Sequence, residues 1–140
     1  MLVMGILNVT PDSFADGGRH HEFDAAVKRG LEMIAEGVDI IDVGGESTRP
    51  GADRVSEEEE IARTIPVIAE LAKHGVKISI DTMRASTAEA AINAGASIIN
   101  DVSGGLADAA MLQTAARLQV PYIAMHWRGQ SKDMNSKAIY

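Results

Sequence analysis

Polar side chains in this chain gather where short apolar runs end. Asn8 falls near the end of the run 2–9, Asp42 within 38–43, and Asp81 with Thr82 after 76–80. Asn100 with Asp101 falls within 97–102, and His126 follows 120–125. Carboxylates and carboxamides at such ends are placed to meet a ligand above the carboxyl edge of a parallel sheet, where α/β folds carry their sites. Two stretches rich in Gly, Pro, hydroxyl and acidic groups follow the first two runs, at 8–18 and 44–52. They make connections of about 15 and about 12 residues where about two to six are usual, and loops of that length act as binding loops or covers. Ordinary turn chemistry accounts for Gly17-Gly18 and Pro50-Gly51 but leaves Phe14, an aromatic ring in mid-loop, unexplained. The four histidines show no zinc-like spacing. His20 and His21 read as loop, His74 lies near a helix C-terminus, and a lone His126 reads as a hydrogen-bonded structural residue.

Elements that could hold those residues in place alternate along the chain. Between the Val- and Ile-rich runs lie Ala-rich, charged segments with helical spacing at 24–36, 56–73, 86–93 and 108–118. Apolar runs without alternation predict strands covered on both faces, as in a parallel sheet. Gly37, Gly75 and Gly95 each stand between a helical segment and the next strand, where a left-handed residue ends a helix. Asp24, Ser56, Ser86 and Asp108 are expected N-caps, and Ser56 with Glu59 has capping-box spacing. The reading is five parallel strands and four helices. An open doubly wound sheet and a (β/α)8 barrel both accept that order. Asn8-Val9-Thr10-Pro11 follows the first strand in place of a dinucleotide fingerprint or a phosphate-binding loop, which favours the TIM barrel. A full barrel takes about 250 residues, so 1–140 is expected to be one partial barrel domain, truncated after about the fifth strand.

Composition narrows the partners. Of 140 residues, 13 are Lys or Arg and 20 Asp or Glu, a net charge of −7 that disfavours nucleic acid. The run 57–60 is four glutamates, expected at the solvated first turn of a helix. No cysteine is present, so no disulfide or thiolate site forms, and a reducing cytoplasm is compatible. The amino end lacks the basic and cleavage features of a signal peptide, and no segment reaches the roughly 20 apolar residues of a membrane span.

Two long segments carry a resemblance. Met4-Gly5-Ile6-Leu7-Asn8-Val9-Thr10-Pro11-Asp12-Ser13-Phe14 with Asp16-Gly17-Gly18, and Asp42-Val43-Gly44-Gly45-Glu46-Ser47-Thr48-Arg49-Pro50-Gly51, resemble the signatures of dihydropteroate synthases. Ser79-Ile80-Asp81-Thr82, Ile99-Asn100-Asp101-Val102-Ser103-Gly104-Gly105 and Met125-His126 are similar to that family's next strand ends, in order. The resemblance implies a pterin-binding barrel. Such an enzyme condenses 6-hydroxymethyl-7,8-dihydropterin diphosphate with 4-aminobenzoate, uses Mg²⁺, is a sulfonamide target, and works as a cytoplasmic homodimer.

Residue roles follow from the same resemblance. Asp81 and Asn100 match pterin-contacting positions, and Met125 matches an apolar wall of that pocket. Asp81 would also stabilise the methylene cation left when pyrophosphate departs; its alternative is a cap of the next turn. Asn8 matches the magnesium position, although its residue type alone also suits a turn. Thr48 and Arg49 match positions that meet the diphosphate and the aminobenzoate, with Phe14 and Pro50 as apolar walls around its ring. Asp16 matches a loop acid brought to the reacting centre, and Asp12 fits the signature, with a turn former as its alternative. Asp42 and Glu46 are expected to brace the second loop rather than touch substrate. A second pterin-binding Asp, a Lys, and an Arg and His for pyrophosphate belong to later strands. Two other readings compete. One is a pterin barrel of the methyltetrahydrofolate-binding type, which has no use for the Phe14 and Arg49 loops; the other is a non-catalytic pterin-binding or scaffolding homologue.

Overall fold

The computed structural model describes residues 2–9, 18–45, 55–101, 103 and 107–124, and of 18–21 and 124 the backbone alone. In chain order the elements are β1 (Met4–Asn8), α1 (Gly18–Ala35), β2 (Ile40–Gly44), α2 (Glu57–Ala72) and β3 (Lys77–Asp81). There follow α3 (Ala85–Ala94), β4 (Ile98–Asp101), α4 (Met111–Leu118) and β5 (Tyr122–Ala124). Among the described residues the strands form one parallel sheet ordered β1-β2-β3-β4-β5. Each crossover therefore moves to the next position in the same direction. Right-handed crossovers that never reverse place every helix on one face, which is the winding of a barrel.

Side-chain burial shows the same layering. Because alternate strand residues point to opposite faces, Ile41, Val43, Ile78, Ile80 and Ile99 share one face, and all five are fully buried. They pack with Met33, Val67, Ile68, Leu71, Ala88, Ala91 and Met111 from the four helices. Each such aliphatic side chain taken from water contributes about 1.5–3 kcal/mol before entropy is counted. Successive helices also touch, α1 with α2, α2 with α3, and α3 with α4. The opposite face carries Met4, 39% exposed, and Ile6, 62% exposed, so no described helix covers it.

Helix ends show which signals act locally. Gly37, Gly75 and Gly95 have φ of 96°, 79° and 128°, as their positions in the sequence predict. At Gly95 space matters as well, since an added Cβ would lie 2.6 Å from Ala72 Cβ. Ser56 caps α2, its Oγ accepting from Glu59 N at 3.1 Å. Asp24 stands inside a helix and not at its start, because α1 begins at Gly18 and takes in His20 and His21. Its apolar face starts with Phe23, which packs against the core three residues before the buried Ala26. Ser86 is also inside its helix. The α3 terminus is capped from elsewhere in the chain: Asp108 Oδ2 accepts from Ala85 N at 2.7 Å while Oδ1 accepts from Ala110 N at 2.9 Å. Those two bonds hold the Asp108 carboxyl below the usual range.

Candidate active site

Strand register brings the polar residues together. Asn8 pairs with Gly44, Gly44 with Asp81, and Asp81 with Asn100, so the four form one row across the carboxyl ends of β1 to β4. All four lie on the face opposite the helices. Asn8 is exposed, Asp81 half-buried and Asn100 buried. Gly44 makes room for its neighbour: a Cβ there would stand 3.3 Å from Asp81 Cβ and 3.5 Å from its Oδ2. Beyond β3 the chain turns through Thr82, whose Oγ1 accepts from Arg84 N at 3.1 Å and whose own N–H donates to Asn100 O at 3.1 Å.

One row deeper stand Ile6, Asp42, Ser79 and Ile98. The buried Asp42 carboxylate spans three strands, accepting from Ser79 Oγ on β3 and from Asn100 Nδ2 on β4 at 3.3 Å, while the second loop it was expected to brace lies outside the described residues. Burial raises its pKa above the ordinary 3.8, and the bonds from Ser79 and Asn100 offset part of that rise. A carboxyl whose folded pKa is raised contributes stability below its unfolded pKa and loses it as pH rises through the folded value. Wild type is therefore expected to lose ground to Asp42→Asn as pH climbs from about 4, in paired thermal melts of the full-length protein. A difference that stays constant with pH would remove the burial argument.

The second loop is held at its base by two arginines that the sequence reading passed over. Arg63 Nη1 donates to Gly45 O at 3.0 Å, where that loop leaves β2, and its Nη2 lies 3.4 Å from Glu59 Oε1. Arg84 donates to Val55 O, where the loop returns to α2, and to Glu60 Oε1 at 2.9 Å. Glu60 is fully buried and also accepts from Thr87 Oγ1 at 2.8 Å. The one signal available in advance was a single Glu in the run 57–60 falling on the apolar side of α2, which a helical projection would show.

Asp101 takes the other face of β4. Its Oδ2 accepts from Tyr122 Oη at 2.9 Å and its Oδ1 from Ser103. Desolvation, together with the Asp101 bond and charge, pushes the Tyr122 phenol well up. Asp101 thus ties β4 to β5 instead of facing the row with Asn100. Of the residues expected to form the site, Asn8, Asp81 and Asn100 are brought together. Asp12, Phe14, Asp16, Glu46, Thr48, Arg49, Pro50, Met125 and His126 lie outside the described residues.

An exposed carboxamide, a half-buried carboxylate and a buried amide in one row can receive a flat ligand rimmed with donors, above the carboxyl edge of the sheet. Comparison with known proteins gives the same direction. Dihydropteroate synthase of Bacillus subtilis is 57% identical over 128 residues, covering 91% of this chain and 45% of the relative. The Xanthomonas albilineans dihydropteroate synthase with 4-aminobenzoic acid superposes with TM-score 0.83 at 50% identity, over 91% of this chain and 47% of that one. The Anaplasma phagocytophilum enzyme with bound 6-hydroxymethylpterin-monophosphate gives 0.84 at 41% identity, over 97% and 52%. The chain spans about half the length of the curated relatives it matches. Residues 4–140 match the family model described as pterin binding enzyme, and the chain belongs to that family.

Proposed function

We propose that the protein carrying this chain is a dihydropteroate synthase, joining 6-hydroxymethyl-7,8-dihydropterin diphosphate to 4-aminobenzoate. The observation that carries the reading is the pairing of Asp81 with Asn100 at adjacent strand ends, in a chain similar to enzymes solved with those two kinds of ligand. Asn100 and Asp81 hold the pterin, with Met125 as an apolar wall. The C–O bond to the diphosphate breaks, and pyrophosphate departs with the bonding electrons. The Asp81 carboxylate stabilises the positive charge left on the methylene and the ring, an interaction that strengthens toward the transition state. The amine of 4-aminobenzoate then bonds to the methylene carbon and gives up a proton. Thr48, Arg49, Phe14 and Pro50 receive the aminobenzoate and the anion, and Asp16 closes over the centre.

Asn8 fits a magnesium position, being an exposed hard amide oxygen in the same row as Asp81. When bound, the ion neutralises charge on the leaving diphosphate. The protein is read as a cytoplasmic homodimer open to sulfonamides, with neither nucleic acid nor membrane as partner; among the described residues no helix is long and apolar enough to cross a membrane.

Binding is ordered in this reading, because the bound anion would complete the site that receives the aminobenzoate. In calorimetry on the full-length protein, 4-aminobenzoate is expected to bind only after pyrophosphate or the pterin diphosphate is added. Tight binding of 4-aminobenzoate alone would overturn the order. Pterin binding with no release of pyrophosphate in the presence of both substrates would overturn the activity, leaving a non-catalytic pterin binder.

A further inference from the structure

We infer that Asp42 is a positioning residue that sets the orientation of the Asn100 side-chain amide, so that Asn100 offers its oxygen, not its nitrogen, to the ligand. This deepens the reading just proposed and rests on it for the identity of that ligand. An Asn side chain is nearly symmetric in shape and can be turned over with little steric cost, so something must decide which end faces the site. Here Asp42 decides. Its carboxylate, 3% exposed, receives Asn100 Nδ2 at 3.3 Å and Ser79 Oγ on its other oxygen. While Asp42 is ionised, the turned-over amide would set Oδ1 against it, two acceptors facing each other in a buried place.

With Nδ2 held, Oδ1 is directed away from Asp42, and among the described residues it is buried without a hydrogen-bond partner. Its register neighbour on β3 is the Asp81 carboxylate. Two acceptors on adjacent strands suit a ligand edge that presents N–H donors, such as an aminopyrimidine. They reject one that presents acceptors, because a buried acceptor left facing another loses its compensation for desolvation. The chemistry also explains why a carboxylate stands in a strand whose flanking residues, Ile41 and Val43, are core. An apolar residue at 42 would be easier to bury but would leave the amide free to turn.

The test uses the full-length protein and the probe 6-hydroxymethylpterin monophosphate. In the ligand-free, ¹⁵N-labelled protein, one Asn100 Nδ2 proton is expected downfield of ordinary side-chain amides, and Asp42→Leu is expected to return it to the usual position. The same variant weakens probe binding by about tenfold or more while unfolding stays cooperative, and Asp42→Asn, which keeps an acceptor oxygen, recovers most of that loss. In an Asn100→Ala background Asp42→Leu adds little, since the two act as one unit. Should Asp42→Leu fail to fold, a reciprocal exchange replaces it. Asn100→Asp alone sets two carboxylates together and loses binding, and adding Asp42→Asn restores a donor between them and recovers it. An unmoved amide resonance, full additivity with Asn100→Ala, or no recovery in the exchange overturns the inference. Wild-type protein that does not bind the probe overturns the proposed function instead, while the amide resonance still decides the role of Asp42.

Discussion

Asp81→Asn in the full-length protein is expected to lower turnover by about 100-fold or more, the scale seen when one preorganised electrostatic group is removed from a reacting centre. The exchange is nearly isosteric and sits at a half-buried strand end beside Gly44. The fold is therefore expected to survive, with a melting temperature close to wild type. In the proposed role, what is lost is the negative charge that would meet the cation as pyrophosphate leaves. Each 1.4 kcal/mol of that stabilisation is about tenfold in rate. Steady-state kinetics should show kcat falling with little change in KM for 4-aminobenzoate, the mark of an interaction made mainly in the transition state. Turnover within a few-fold of wild type would end the assignment of Asp81 to catalysis.

The largest expected effect on stability lies at Glu60. Glu60→Ala is expected to cost about 3–5 kcal/mol, because it removes a fully buried carboxylate that accepts from both Arg84 and Thr87 and leaves an unfilled space behind it. Arg84 is 19% exposed and Glu60 not at all, so solvent offers little compensation. Against a total of about 5–15 kcal/mol for an ordinary domain, that loss is large. It should be visible in urea as a lower midpoint with an unchanged slope. The effect should also reach the site. Arg84 holds Val55 O, the return end of the loop carrying Thr48 and Arg49, so 4-aminobenzoate affinity should fall together with stability. A loss below about 1 kcal/mol would mean that the pair behaves as an exposed salt bridge does.

What the sequence determined by itself was whatever depends on near neighbours. The alternation of strand and helix, the glycines at 37, 75 and 95, and the Ser56 cap all follow from local spacing and backbone freedom, and the structure has them in place. Asp81 and Asn100 were legible because each interrupts an apolar run at its end. Only the tertiary structure decided which residues meet across strands. A pairing slip of one residue would send Asp42 to the helical face and Ile41 to the site. Nothing within five residues of Asp42 announces Ser79 or Asn100 as partners. For the same reason Asp108 could not be recognised as the cap of α3, nor Arg84 as an anchor for Val55. Their partners lie 23 and 29 residues away, and charge and hydrogen bonding act through space once the sheet has set its register.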